Sequence, residues 1–125
     1  MDLLLAGDHE VLEELRNQYK YSNVLSRKYT GVGFFLNLSI PTSNKKINEI
    51  YKVKDRIIIS DLGGIGGLPK VEAGFILWID DGYIDCLEGY TYGDDKWPEA
   101  VKHFKFYYFG KGDRNLHKLV EAWRI

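Results

Sequence analysis

The chain has 125 residues, with 18 acidic against 17 basic side chains, one cysteine, 45% hydrophobic and 14% aromatic residues. A chain of this length can remove roughly two thirds of its extended surface from water, so a single domain over 1–125 is expected to hold one ordinary core without metal or disulfide staples. A net charge of −1 supplies no broad basic field for nucleic acid, one cysteine excludes an internal disulfide, and no apolar run approaches the roughly 20 residues of a membrane helix.

The chain opens on a short apolar run, Leu3 to Ala6, behind an acid and not a lysine. That pattern argues against a secretion signal and for a cytoplasmic protein with no membrane partner. Leu12, Leu15 and Tyr19, with Val11 beside them, fall on one helical face behind Asp8, a residue able to accept the first free amides, and predict a helix over 8–20. Glu10, Glu13 and Glu14 come early and Arg16 and Lys20 late, as the helix dipole favours. From Gly31 the period changes to two: Val32, Phe34, Leu36, Leu38 and Ile40 alternate with smaller or polar residues until Pro41 ends a half-buried strand. Asn23 to Thr30 alternates more weakly and reads as a shorter strand turning into it near Thr30-Gly31.

Residues 41–54 are polar and predict a mobile connection, and Arg56 to Ser60 a short apolar strand. Gly63, Gly64, Gly66 and Gly67 predict a loop, since glycines lose the most backbone entropy inside regular structure. From Gly74 to Tyr92 a hairpin turns at Asp81-Gly82, which supplies the two positive-φ positions of a type I′ turn. Uninterrupted pairing would set Ile79 against Ile84, Trp78 against Asp85, Leu77 against Cys86, Ile76 against Leu87 and Phe75 against Glu88. One face would then carry Phe75, Leu77, Ile79, Ile84 and Cys86, the other Ile76, Trp78, Tyr83, Asp85 and Leu87. Both are apolar enough that the second must lie under a helix or meet something. Phe104 to Phe109 predicts an aromatic strand, and Leu116, Leu119, Val120 and Trp123 an amphipathic helix opened by Asp113. The expected fold is α+β: an antiparallel sheet of about five or six strands with an N-terminal and a C-terminal helix.

Candidate chemistry is sparse. Gly64-x-Gly66 meets Pro69 where a dinucleotide fingerprint needs glycine, and no Gly-Lys-Ser/Thr follows, so neither phosphate binding nor a cofactor is expected. His9, His103 and His117 sit at unrelated positions, and with a single cysteine they offer no metal-ligand spacing. Cys86, on the expected core face, reads as a small hydrophobe packed against Leu77. Glu88 would share that face with Tyr90 and Tyr92 and would need a tyrosine hydroxyl or a lysine as partner. The charge distribution is more informative. Residues 80–99 hold Asp80, Asp81, Asp85, Glu88, Asp94, Asp95 and Glu99 against Lys96 alone, seven minus one, a local excess of six negatives. Aromatic anchors among acids describe a surface that attracts a basic protein, so Trp78, Asp80, Asp81, Tyr83, Asp85, Asp94, Asp95 and Trp97 are the expected partner-binding residues.

The segments Tyr29-Thr30-Gly31-Val32-Gly33-Phe34-Phe35, Ala73-Gly74-Phe75-Ile76-Leu77-Trp78-Ile79 and Leu87-Glu88-Gly89-Tyr90-Thr91-Tyr92-Gly93, with Trp97-Pro98, resemble a family of small bacterial proteins found beside polymorphic toxins of the contact-dependent inhibition type. In that company they look like immunity proteins. The resemblance covers roughly residues 27–99 and implies a non-enzymatic inhibitor that binds a toxin's nuclease-like domain in the cytoplasm. It assigns no contact residue, because immunity surfaces diverge with their toxins. The competing reading is a small enzyme or ligand-binding domain with a pocket between the sheet and the first helix, built on Glu88 and nearby tyrosines.

Overall fold

The computed structural model describes residues 1–93, 95–98, 103–110 and 112–125. The apolar stripe of the first segment forms helix α1 (Glu10–Lys20), with Val11, Leu12 and Leu15 buried. Its cap is His9 and not Asp8: the His9 Nδ1 accepts the Val11 N–H at 3.1 Å. The last inward position also differs. Tyr19 is 38% exposed, while Gln18, one residue earlier, is fully buried.

After α1 the chain lays down β1 (Asn23–Tyr29), β2 (Gly33–Ser39), the one-turn helix α2 (Ile47–Ile50), β3 (Arg56–Gly66), β4 (Val71–Asp80), β5 (Tyr83–Thr91), β6 (Lys105–Tyr108) and helix α3 (Leu116–Trp123). The six strands form one sheet in the order β1-β2-β5-β4-β3-β6, antiparallel throughout. This is the expected α+β fold with a helix near each end. One sheet face carries Leu38, Ile57, Ile59, Leu62, Leu77, Ile79 and Ile84, which join Val11, Leu12 and Leu15 of α1, Leu4 and Leu5, and Trp123 of α3 in a single core. Where β6 no longer accompanies β3, α3 closes the edge: the Trp123 indole donates to the Ile58 carbonyl and the Lys54 N–H to the Trp123 carbonyl.

The β4–β5 hairpin turns as expected, with φ of 47° at Asp81 and 80° at Gly82. Its pairing starts as expected too, Asp80 with Tyr83 and Ile79 with Ile84. A bulge then leaves Asp85 without an opposite number, so that Trp78 faces Cys86, Leu77 faces Leu87 and Ile76 faces Glu88. From that residue on, β5 is shifted by one relative to uninterrupted pairing, which exchanges the two faces. Leu87 turns toward the core; Cys86 and Glu88 turn away from it. Gln18 holds the backbone beside the bulge. Its Oε1 accepts the Ile84 N–H at 2.9 Å, and its Nε2 donates to the carbonyls of Gly82 at 2.8 Å and Lys45 at 3.0 Å.

The glycines of 63–66 lie inside β3, not in a loop, and the reason is space. A Cβ on Gly63 would come within 2.7 Å of the Tyr107 ring, and one on Gly64 within 3.1 Å of Phe104 and 3.2 Å of Phe106. Gly74 and Gly89 repeat the pattern beneath Tyr90 and Phe34. The aromatic side chains of neighbouring strands lie flat over these positions, and this close packing offsets the entropic penalty of glycine in a strand.

Two connections are also tighter than their polarity suggests. Within 41–54, Ile47 is fully buried and Val53 is 6% exposed, so the segment is pinned to the core. Arg114, ahead of α3, makes a bidentate pair with Asp61 at 2.8 Å from both Nε and Nη2 and donates to the carbonyls of Leu4 and Ala6. Its guanidinium also lies 5.1 Å from the Tyr108 ring centroid. Asp61 sits at the bulge of β3 between Ile59 and Leu62, so one nearly buried guanidinium ties the N-terminal segment to the sheet.

Two outcomes follow from this packing. Gln18→Ala strands the buried Ile84 N–H, while the Gly82 carbonyl keeps the Ile47 N–H, and should cost about 1–3 kcal/mol in urea unfolding; a loss well below about 1 kcal/mol would mean that water replaces the carboxamide. Gly89→Ala, whose Cβ would stand 2.3 Å from the Phe34 ring, should cost about 1–3 kcal/mol. Adding Phe34→Ala should recover part of that loss, a coupling read from the double-mutant cycle.

Candidate functional site

Every element of the core packs on one side of the sheet, and among the described residues no helix covers the other. That open face is built by alternation along β4, where Glu72, Gly74, Ile76, Trp78 and Asp80 point outward, and along β5 by Cys86, Glu88 and Tyr90 once the Asp85 bulge has reset the register. The Trp78 indole N–H donates to the Glu88 carboxylate at 3.1 Å. This is the partner Glu88 needs, an indole where a tyrosine hydroxyl or a lysine was expected. Tyr90 lies over Gly74, with the Tyr92 ring 5.9 Å away. Across β3, the Tyr107 hydroxyl donates to Glu72.

The face is therefore ring-rich and mixed in charge: Lys28, Arg56 and Lys105 share it with Glu72, Asp80 and Glu88, and two of these carboxylates are held by aromatic donors. The Glu72 hydrogen bond and then burial raise the Tyr107 pKa above the ordinary phenol range, and burial is the main cause of a smaller rise at Tyr92. Cys86 is buried opposite Trp78 on this face, not against Leu77 in the core. Burial, then the nearby Asp85 and Glu88 carboxylates, pushes its thiol pKa up, which disfavours the nucleophilic thiolate.

The residues expected to bind a partner are spread over three places. Trp78 and Asp80 belong to the open face, Asp80 within 3.3 Å of Arg56. Asp81 and Tyr83 sit at the hairpin tip and are engaged within the molecule. Asp81 accepts from Lys46 at 2.9 Å and Asn48 at 3.1 Å, the Lys46 bond being the chief reason its carboxyl titrates below the usual range. Tyr83 donates to the Asn44 carbonyl at 2.8 Å, with the Lys46 ammonium 5.5 Å from its ring centroid. Asp85 is exposed on the bulge. Asp95 and Trp97 lie past the far end of β5, a nine-residue strand roughly 25–30 Å long. Trp97 is on the opposite side of the sheet from Trp78, among Phe34, Phe75 and Phe104. Asp94 and Glu99 fall outside the described residues. The acidic run is contiguous in sequence but divided in space, and the open face gathers a different set: Trp78, Asp80 and Glu88 with Glu72, Tyr90 and Tyr107. Glu72 and Tyr107 escaped sequence reasoning, although the alternation from Glu72 to Trp78 carried the signal for the first of them.

The space between the sheet and α1 is filled by Leu12, Leu15 and Leu77, each fully buried, and Glu88 stands on the other side of the sheet. A pocket there built on Glu88 is excluded by that packing. His9 caps α1 with its ring edge against Trp123, while His103 and His117 are exposed. Among the described residues no group of three His, Cys, Asp or Glu side chains could hold a metal, and no helix is long and apolar enough to cross a membrane. Comparison of the chain with protein-family models, curated proteins and solved structures finds no match.

The Tyr107–Glu72 pair makes a pH prediction with a definite sign. Because the folded pKa of Tyr107 lies above its unfolded value of 10.0, its contribution to stability is complete below that pH and is lost as pH rises through the folded pKa. Glu72→Gln should bring the Tyr107 titration down toward the ordinary range, seen as phenolate absorbance appearing at lower pH, and a Tyr107→Phe control should remove that phase.

Proposed function

We propose that this chain is an immunity protein, a non-enzymatic inhibitor that binds a toxin domain, nuclease-like in surface chemistry, and occludes its active site. One observation carries the reading: a full sheet face, aromatic and charged, that no described element covers. Tryptophan and tyrosine supply large contact areas at low entropic cost and dominate the energetics of protein interfaces. The carboxylates of Glu72, Asp80 and Glu88, set among Lys28, Arg56 and Lys105, offer fixed acceptors to the cations of a cleft built to hold phosphates. Trp78 and Tyr107 fix two of these carboxylates in advance, which lowers the ordering cost of binding. Trp78, Asp80 and Asp85 remain the contacts of choice from the sequence, joined by Glu72, Glu88 and Tyr90. The motifs that resemble immunity proteins, Leu87 to Gly93 above all, form β5 and its exit, and so supply the scaffold of this face.

Co-expression with the toxin domain encoded in the neighbouring reading frame should restore growth, and calorimetry should give a single-site complex that weakens with added salt. Trp78→Ala should weaken it about thirtyfold or more, the loss typical of an interface anchor. Paired Glu72→Gln and Asp80→Asn changes should mainly slow association and flatten the salt dependence. A toxin that stays lethal and shows no heat of binding would end this reading.

A further inference from the structure

The other side of the sheet holds a second feature that the inhibitor reading does not use. Beyond the core, past Leu36 and Leu77, one transverse row runs Tyr29, Phe34, Gly89 and Phe75 across β1, β2, β5 and β4. Gly89 lets the Phe34 ring lie down on the sheet, and Gly64 does the same for Phe104 and Phe106. Trp97, its N–H bonded to the Gly31 carbonyl at 2.8 Å, stands edge-on to Phe34 at 5.1 Å and Phe75 at 6.4 Å between centroids. Its ring is near parallel to Phe104 at 6.3 Å. Together they form a half-open concavity of about 270 Å³ with a mainly apolar lining. One cation stands on its wall: Arg27, opposite Leu36 on β1, which makes no ion pair among the described residues.

We propose that this concavity is a binding site for a small, planar, apolar ligand that carries a carboxylate. Its size falls between the about 150 Å³ of a cavity that accepts benzene and the about 300 Å³ at which pockets for drug-sized ligands begin, so it suits one or two fused rings. The aromatic rings of the lining meet such a ligand by edge and face contacts, and the planar guanidinium of Arg27 takes the carboxylate by paired N–H donors at the rim. A protein partner is the weaker occupant, because so small a space holds one side chain and not an interface. Arg27 lies on a strand exposed along its whole length, so the cation can be removed without disturbing the core.

The test uses the full chain alone, with naphthoate and the uncharged naphthalenemethanol as probes, followed by calorimetry and by amide shifts around Phe34, Phe75 and Phe106. Naphthoate should bind at one site. Arg27→Gln should weaken it about tenfold, the worth of a charge-assisted pair, and change binding of the alcohol less than about twofold. Phe106→Ala, with an unchanged melting transition as its control for folding, should weaken both probes. Absence of saturable naphthoate binding, an affinity indifferent to Arg27→Gln, or shifts confined to the open face would each overturn the proposal. Because no toxin enters the assay, its failure leaves the inhibitor reading standing, and the converse holds too.

Discussion

The bulge at Asp85, and the buried carboxamide beside it, decide what this protein presents to its surroundings. One extra residue in β5 turns every later side chain of that strand to the opposite face. Without it Glu88 would point into an apolar core and Leu87 into water; with it the carboxylate meets an indole on the open face and the leucine joins the interior. A bulge interrupts the regular ladder, and the groups beside it need other partners. Gln18 provides them from α1, accepting the Ile84 N–H and donating to the Gly82 carbonyl. Helix, hairpin tip and the 44–48 segment are thereby locked to one another, since Gly82 also accepts from Ile47 and Tyr83, next to it at the start of β5, donates its hydroxyl to the Asn44 carbonyl.

The elements themselves were legible because each rests on a local rule. Leu12 and Leu15 mark a helix, Phe34, Leu36 and Leu38 a strand, and Asp81-Gly82 a turn with two left-handed residues. The register beyond the turn was not legible, because nothing in the composition of Ile84-Asp85-Cys86 distinguishes a bulge from a regular pair. Its cause is tertiary: a glutamine more than sixty residues earlier in sequence. The same holds for Arg114, whose value comes from Asp61, Leu4 and Ala6 together, and whose sequence neighbours announce none of them.

The glycines were misread for a physical reason that generalises within this sheet. Taken singly, Gly63, Gly64, Gly74 and Gly89 weaken a strand. Taken as pairs across strands, they are the vacancies that Tyr107, Phe106, Tyr90 and Phe34 occupy. A chain with 14% aromatic residues and one helical layer cannot bury all its rings in a single core. Laying them flat over glycine keeps them half out of water while preserving the ladder.

That solution distributes the rings to both sides of the sheet, and the two sides differ in what accompanies them. On the open face Trp78 and Tyr107 hold carboxylates; on the concave side Phe34, Phe75, Trp97, Phe104 and Phe106 hold one another, and the nearest charge is the guanidinium of Arg27. A flat platform of rings and fixed carboxylates offers area and directed polar contacts, which favour a large partner. A small, mainly apolar recess with a cation at its rim offers a confined space, which favours a small anion. The local acidic excess in the sequence pointed at only the first of these. It could not resolve them, because β5 carries residues 83–91 between the two ends and leaves Asp80 and Trp97 on opposite sides of the sheet. A strand separates charges that are neighbours in sequence, and its register, set here by one unpaired aspartate, chooses which of them act together.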